Sequence, residues 1–262
     1  MNRLEMLREM KLLPLWRVRA LAPAPQPSLA TSGDATSYPA GNVMAAPSYV
    51  ADAAGPAARA AHIATLEWDA LERDIAACTA CGLCRTRNRV VPGVGARRAE
   101  WLFVGEAPGA DEDLQGEPFV GQGGRLLDNM LTAIGLARSD RVYIANVLKC
   151  RPPQNRAPEP GEIDACLPYL KRQIALLAPK LIVALGRSAA ATLLATDASI
   201  AALRGRVHRF EGTAVVVTYH PAYLLRTPGD KAKAWEDLCL ARATLSSGAD
   251  DDLLQKTRGA TK

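Results

Sequence analysis

Four short stretches of this chain are mostly apolar: Trp101–Val104, Val142–Val147 with Asn146 near its end, Leu181–Leu185, and Ala214–Tyr219 with Thr218 near its end. Runs of that length, bounded by turn residues, read as strands buried on both faces. Between them the apolar positions change period. Leu126, Leu127, Met130, Leu131 and Ile134 mark one helical stripe within Gly123–Leu136, and Glu162–Leu177, Ser188–Leu194 and Lys231–Leu245 read as further helices. Another, Thr65–Ala77, carries Leu66, Leu71 and Ile75 ahead of the first strand. Strands alternating with helices of this length predict an α/β fold. The expected architecture is a three-layer α/β/α sandwich with a central four-stranded parallel sheet. The first strand stops in Gly105-Glu106-Ala107-Pro108-Gly109, a tight loop whose glycines let backbone approach a ligand. Loops at the carboxyl ends of strands build the site in such sheets.

The ends of the chain lack this pattern. Leu4, Leu7, Met10 and Leu13 fit a short amphipathic helix closed by Pro14, and residues from Leu21 to about Pro56 are rich in Ala, Pro and Ser. Such a composition cannot bury a core, so 1–62 reads as a flexible, disordered extension, 63–246 as the folded domain and 247–262 as a polar tail. The terminal helix is either a docking peptide for an unknown protein partner or a frayed end. No run of about 18 apolar residues exists, so no membrane span is expected. Arg3, Glu5, Arg8 and Glu9 interrupt any signal-peptide core, which predicts a cytoplasmic protein. The net charge of +5 mildly favours a polyanionic partner.

Of the six cysteines, Cys78 and Cys81 stand three residues apart where a helix gives way to a loop. Two thiolates so spaced clamp one metal ion or one edge of a cluster. Cys150 follows the second strand and Cys166 lies on the next helix, so two pairs can supply four ligands. Four thiolates also suit zinc, although zinc sites usually have a shorter second spacing. Cys84 is ambiguous: it extends the run to C-x2-C-x2-C, but the fourth cysteine of a ferredoxin run, expected near Asn88, is missing. Cys239 sits in an apolar helix stripe and reads as core.

Polar residues cluster after the strands. Asn146 ends the second strand, and its amide suits either the edge of a nucleobase or a turn. Phe119, in Glu117-Pro118-Phe119-Val120-Gly121, reads as a stacking platform or as a loop anchor in the core. His220 follows the fourth strand in His220-Pro221-Ala222-Tyr223-Leu224-Leu225-Arg226 and points out of its end, unless it is a buried structural histidine. Leu224 and Leu225 are candidates to wedge into a duplex. Lys149, Arg151, Arg156 and Arg226 lie near these strand ends, where phosphates can pass, unless they are scattered surface charge.

Four blocks together resemble the family-4 uracil-DNA glycosylases, the iron–sulfur branch of their superfamily. They are Cys78-x2-Cys81, the loop GEAPGADED with PFVGQGG, the block NVLKCRPPQNR with Cys166, and HPAYLLR. The match covers roughly residues 66–245. It implies a DNA repair enzyme, a monomer, that flips uracil out of single- or double-stranded DNA and hydrolyses its N-glycosidic bond. It implies a [4Fe-4S] cluster held by Cys78, Cys81, Cys150 and Cys166, with Cys84 left out. It places Gly105, Glu106 and Ala107 against uracil, Phe119 on its ring, Asn146 on its Watson–Crick edge and His220 at its O2. Glu106 and His220 become the catalytic candidates, and Leu224, Leu225 and Arg226 the DNA contacts. In a sister family an aspartate two residues after the loop's first glycine activates water; here that position is Ala107, and Glu106 is the nearest carboxylate.

Two other readings compete. A related branch traps its product through an extra histidine loop, yet no histidine stands between Asn146 and Cys166. A non-catalytic iron–sulfur DNA-binding module would have no need for Glu106, Asn146 and His220 together.

Overall fold

The computed structural model describes residues 55–259, with side chains as far as Ser246. The short helix read near Leu4–Leu13 and the linker up to residue 54 lie outside the described residues. The four expected strands form: β2 (Trp101–Gly105), β3 (Val142–Asn146), β4 (Leu181–Leu185) and β6 (Thr213–Thr218). They pair in parallel in the order β3-β2-β4-β6. Two further strands extend the sheet to six. The two-residue β1 (Val94–Gly95) pairs antiparallel with β3, and β5 (Val207–Phe210) pairs antiparallel with β6. Neither edge strand has an apolar run. β5 reads Val-His-Arg-Phe and leaves most of its length toward solvent, so hydropathy alone does not mark it.

Successive residues of a strand face opposite sides, and here both sides are covered. Leu102, Val104, Tyr143, Ala145, Ile182, Ala184, Val215 and Val217 pack into one core. That core lies under helices α1 (Gly55–Thr65), α2 (Trp68–Ala77), α5 (Pro160–Leu177) and α6 (Arg187–Leu194). Trp101, Phe103, Ile144, Val183, Leu185 and Val216 face the other core. There α4 (Gln122–Ala133), α8 (Pro221–Arg226) and α9 (Lys231–Gly259) cover them. Two short helices, α3 (Ala110–Gln115) and α7 (Ile200–Leu203), sit in the connections. The three layers are as the alternation of strands and helices predicts.

The ends of the folded region differ from the expected boundaries. Helix α1 already runs from Gly55, ahead of the expected start near Ile63, because it packs on α5 and buries Ile63 completely. At the other end the last helix continues past Leu245 to Gly259. Among the described residues no helix is long and apolar enough to cross a membrane.

Candidate active site

The parallel strands all end on one edge of the sheet, and three of them each deliver a part of the site. The loop after β2 comes first. Gly105, the last residue of β2, stands opposite Asn146, the last of β3. Glu106 follows it, and the loop then turns into α3. Glu112, three residues after the N-cap Gly109, closes that helix as a capping box: its carboxylate accepts the Gly109 N–H at 3.0 Å. It also accepts the N–H groups of Val120 and Gly121, at 3.0 and 3.2 Å. One carboxylate thus ties the GEAPG loop to the PFVGQ loop.

Phe119 lies in that second loop with φ +57°, a left-handed conformation that costs a bulky residue free energy. The conformation is held from outside. Arg138 donates to the carbonyls of Pro118 and Phe119, both at 2.7 Å, and is itself held by Asp128. Gly124, at the start of α4, admits the Phe119 carbonyl where any side chain would overlap it. Phe119 is buried as a loop anchor, and it also presents its ring to the site.

His220 ends the extended segment after β6 and caps α8, with Pro221 at the first helical position. The Ala222 N–H donates to its Nδ1 at 3.2 Å. A neutral imidazole that accepts at Nδ1 carries its proton on Nε2 and donates there. Burial, with the Arg226 charge nearby, lowers its pKa to about 4, against a weaker opposing pull from Glu112. The ring is therefore neutral at pH 7. It lies 5.4 Å from the Phe119 ring, tilted by 28°.

Asn146 is 2% exposed, and its Oδ1 has no hydrogen-bond partner. An unsatisfied buried acceptor typically costs about 1–3 kcal/mol, so a ligand donor is the natural partner. A cleft of about 490 Å³ opens beside it, lined by Glu106, Phe119, Asn146, Gly186, His220 and Arg226 among others. Burial raises the pKa of Glu106, while a hydrogen bond from Ser188, at the start of α6, pulls the other way. The geometry therefore offers an apolar ring face, an amide edge, a neutral N–H donor and a half-buried carboxylate.

The predicted DNA contacts divide. Leu224 is completely buried and packs under the second core, so it cannot enter a duplex. Adjacent residues of a helix point about 100° apart, and α8 turns Leu225 outward, at 39% exposed. Arg226 reaches the cleft. Of the other basic residues expected along the phosphate path, Lys149 is buried and points inward. Its ammonium donates to the Asn146 carbonyl and to Gln173 Oε1, both at 2.7 Å. Arg156 forms a bidentate pair with Glu162 at the start of α5, and Arg151 binds Asn155.

The cysteines meet behind the site. Cys78, Cys81, Cys150 and Cys166 line one small enclosed cavity, with Leu83, Leu148 and Tyr169. Cys84 lines it too, although the family resemblance leaves it out. No three His, Cys, Asp or Glu side chains among the described residues gather closely enough for one metal ion. Three of the sulfurs receive N–H donors: Arg87 reaches Cys150 at 3.1 Å, the Lys149 backbone reaches Cys166 at 3.2 Å, and Arg59 of α1 reaches Cys78 at 3.5 Å. Burial, reinforced by the neighbouring cysteines and opposed by Arg87 and Lys149, pushes the thiols up, Cys150 to about 11 and Cys166 to about 12. Donors aimed at sulfurs, two of them cationic, suit thiolates ligating a cluster. The roles of Glu112, Lys149 and the two arginines are absent from the sequence reading. Only Glu112 had a signal there, its capping-box spacing from Gly109.

An open α/β sheet with this edge is the architecture of a base-excising class of proteins, and the chain belongs to it: the family model for the uracil DNA glycosylase superfamily matches residues 92–239. Within that class the similarity is to the type-4 branch. A type-4 uracil-DNA glycosylase of Archaeoglobus fulgidus is 48% identical over 168 residues, 61% of this chain and 84% of the relative. Type-4 enzymes of Sulfurisphaera tokodaii and Saccharolobus solfataricus are 45% and 42% identical, over 82% and 87% of their own lengths. The resemblance drawn from the four sequence blocks holds.

Proposed function

We propose that this chain is a DNA repair glycosylase that flips uracil from DNA and hydrolyses its N-glycosidic bond, leaving an abasic site. The observation that carries the reading is the unpartnered Asn146 Oδ1 in a cleft shared with neutral His220 and Phe119. The target bond is unreachable inside the stack, so the nucleotide must leave the duplex to enter the cleft. Phe119 then stacks on the ring. Asn146 accepts the uracil N3–H at Oδ1 and donates from Nδ2 to O4; cytosine presents the opposite pattern at those positions.

As the bond breaks, the sugar gains positive charge and the base negative charge. A donor already aimed at the forming anion stabilises it without reorganisation. His220 supplies that donor from Nε2–H to uracil O2. Glu106 lies across the cleft to hold the attacking water and to stabilise the cationic sugar. Leu225 fills the gap left in the duplex, and Arg226 meets a phosphate.

The cavity lined by the cysteines suits a [4Fe-4S] cluster ligated by Cys78, Cys81, Cys150 and Cys166. Bound there, the cluster is a covalent clamp that ties the segment after α2, the end of β3 and α5 together.

The test is incubation with an oligonucleotide carrying one uracil, followed by alkali. Strand cleavage at that position is the expected result. A covalent protein–DNA adduct, or binding without cleavage, would reject the reading.

A further inference from the structure

Lys149 is the one lysine fully enclosed in the described structure, and neither the proposed mechanism nor the cysteine cavity assigns it a task. Its position is unusual. It lies three residues after Asn146 and directly before Cys150. Its backbone N–H faces the cysteines and its ammonium faces the peptide that carries Asn146, while its carbonyl accepts the Val91 N–H at 2.8 Å. Its backbone N–H donates to Cys166 Sγ at 3.2 Å. Its ammonium holds the Asn146 carbonyl and Gln173 Oε1. Gln173, on α5 and itself buried, donates onward to the Pro92 carbonyl at 2.9 Å. The same short segment is stitched to the catalytic loop: Val147 N–H donates to the Gly105 carbonyl at 2.9 Å and Leu148 N–H to the Glu106 carbonyl at 3.0 Å.

A buried ammonium is costly unless charge and acceptors compensate it. The two acceptors here are neutral, a carbonyl and an amide. The ionisable groups that act on it are the Cys150 and Cys166 side chains, which carry negative charge only as thiolates. A cluster with thiolate ligands supplies the negative charge that keeps the ammonium in place, and the ammonium in turn fixes the peptide that carries Asn146. We propose that Lys149 is a positioning residue: it uses the charge of the ligated cluster to lock Asn146 in its base-reading orientation. The proposal rests on the reading of the chain as a cluster-bearing uracil glycosylase.

Lys149→Met keeps the length of the side chain and removes its charge and its hydrogen bonds. The holoprotein should retain its iron and bind uracil-containing DNA as the parent does. Its single-turnover excision should fall by about ten- to a hundredfold, the range expected when a reacting group is misplaced by up to about 1 Å. Its cluster should become harder to reduce, seen as a lower potential in film voltammetry, because a nearby positive charge is gone. Gln173→Leu, farther from the ligands, covers the case in which Lys149→Met does not fold. It removes one acceptor of the ammonium and should move both readouts in the same direction, by less. Iron-replete variants with parental excision or parental potential would overturn the proposal. So would excision that falls only in proportion to iron lost, which would make Lys149 a mere support of the cluster. Failure of the underlying reading looks different: the unsubstituted chain would then lack iron or leave uracil in place.

Discussion

Gly105→Ala is the smallest change that asks whether a base occupies the slot between Asn146 and Phe119. The backbone at Gly105 is not left-handed, so alanine can adopt it without strain. The space is the obstacle. The new methyl group would stand 2.6 Å from Phe119 Cζ, and closer still to Asn146 Oδ1, where ordinary contact begins at 3.4 Å. The ring must therefore give by about 0.8 Å, and the amide by more. Neither yields easily. Phe119 is held through its own carbonyl by Arg138, and Asn146 is fixed in β3 with its carbonyl on Lys149. Overpacking of this kind costs roughly 1–3 kcal/mol of stability. For a domain of this size that lowers Tm by about 2–4 °C per kcal/mol. Catalysis should suffer more. Displacing a substrate-positioning group by about 1 Å costs on the order of a hundredfold, or about 2.7 kcal/mol of barrier. The assay is single-turnover excision from a uracil oligonucleotide, well below the Tm of the variant, with DNA affinity measured alongside. Affinity should hold, since phosphate contacts supply most of it. Excision within about threefold of the parent would refute the slot, because a methyl group there could not then be in the way of the base.

Asn146→Asp should lower the preference for uracil over cytosine; an unchanged ratio of the two excision rates would show that Asn146 reads neither. His220→Ala should slow excision by about a hundred- to a thousandfold with DNA affinity retained, the usual cost of losing one such donor. The ring should also take no proton between pH 8 and 6, so excision should not fall across that range on its account. Stability behaves otherwise: an unfolded histidine binds a proton below about pH 6.5, whereas folded His220 resists until about 4, so stability drops as pH falls through that interval. Leu225→Ala should weaken excision from double-stranded more than from single-stranded DNA. Leu224→Ala should instead lower the Tm through a cavity of the kind that costs about 2–5 kcal/mol. Removing residues 1–54 should leave excision from short oligonucleotides nearly intact, while removing 1–65 should cost iron, since it takes away Arg59 and its hydrogen bond to Cys78.

Some of this was open to reading in the chain, and the reason differs by element. The parallel strands carry apolar runs at Leu102–Val104, Leu181–Leu185 and Val215–Val217 because helices cover both faces, and a doubly buried strand has few polar positions to disguise it. The edge strands could not be found in that way. β1 is two residues long, and β5 alternates with solvent. The start of α1 was hidden by composition: Gly55-Pro-Ala-Ala-Arg continues the Ala/Pro pattern of the preceding segment, and only its packing on α5 makes it part of the domain. Among the site residues, Asn146, Phe119 and His220 could be picked out because each stands after a strand or in a glycine-rich loop. Which way a side chain points was not legible. Leu224 and Leu225 are chemically alike, and the phase of a six-residue helix separates them. Lys149 has the sequence context of a phosphate ligand, and only the burial of its ammonium shows that it faces the protein.

The layout of charge also bears on how the chain manages without an acid at Ala107. A carboxylate at that position would act late, by activating water. The groups present act on charge separation itself. In the proposed reaction the neutral His220 donor would stand where the base becomes negative, and its low pKa would keep it from being an imidazolium before the substrate arrives. A charged imidazolium would donate more strongly, but it would also face the cationic sugar across the cleft. Glu106 lies on the opposite wall, and burial raises its pKa without removing its hydrogen bond from Ser188. On the proposed reading, donor and carboxylate would line the same dipole, positive toward the departing base and negative toward the sugar. If the leaving group is stabilised first in this way, the attacking water needs only to be held, a task the proposed mechanism gives to Glu106, one residue earlier in the loop.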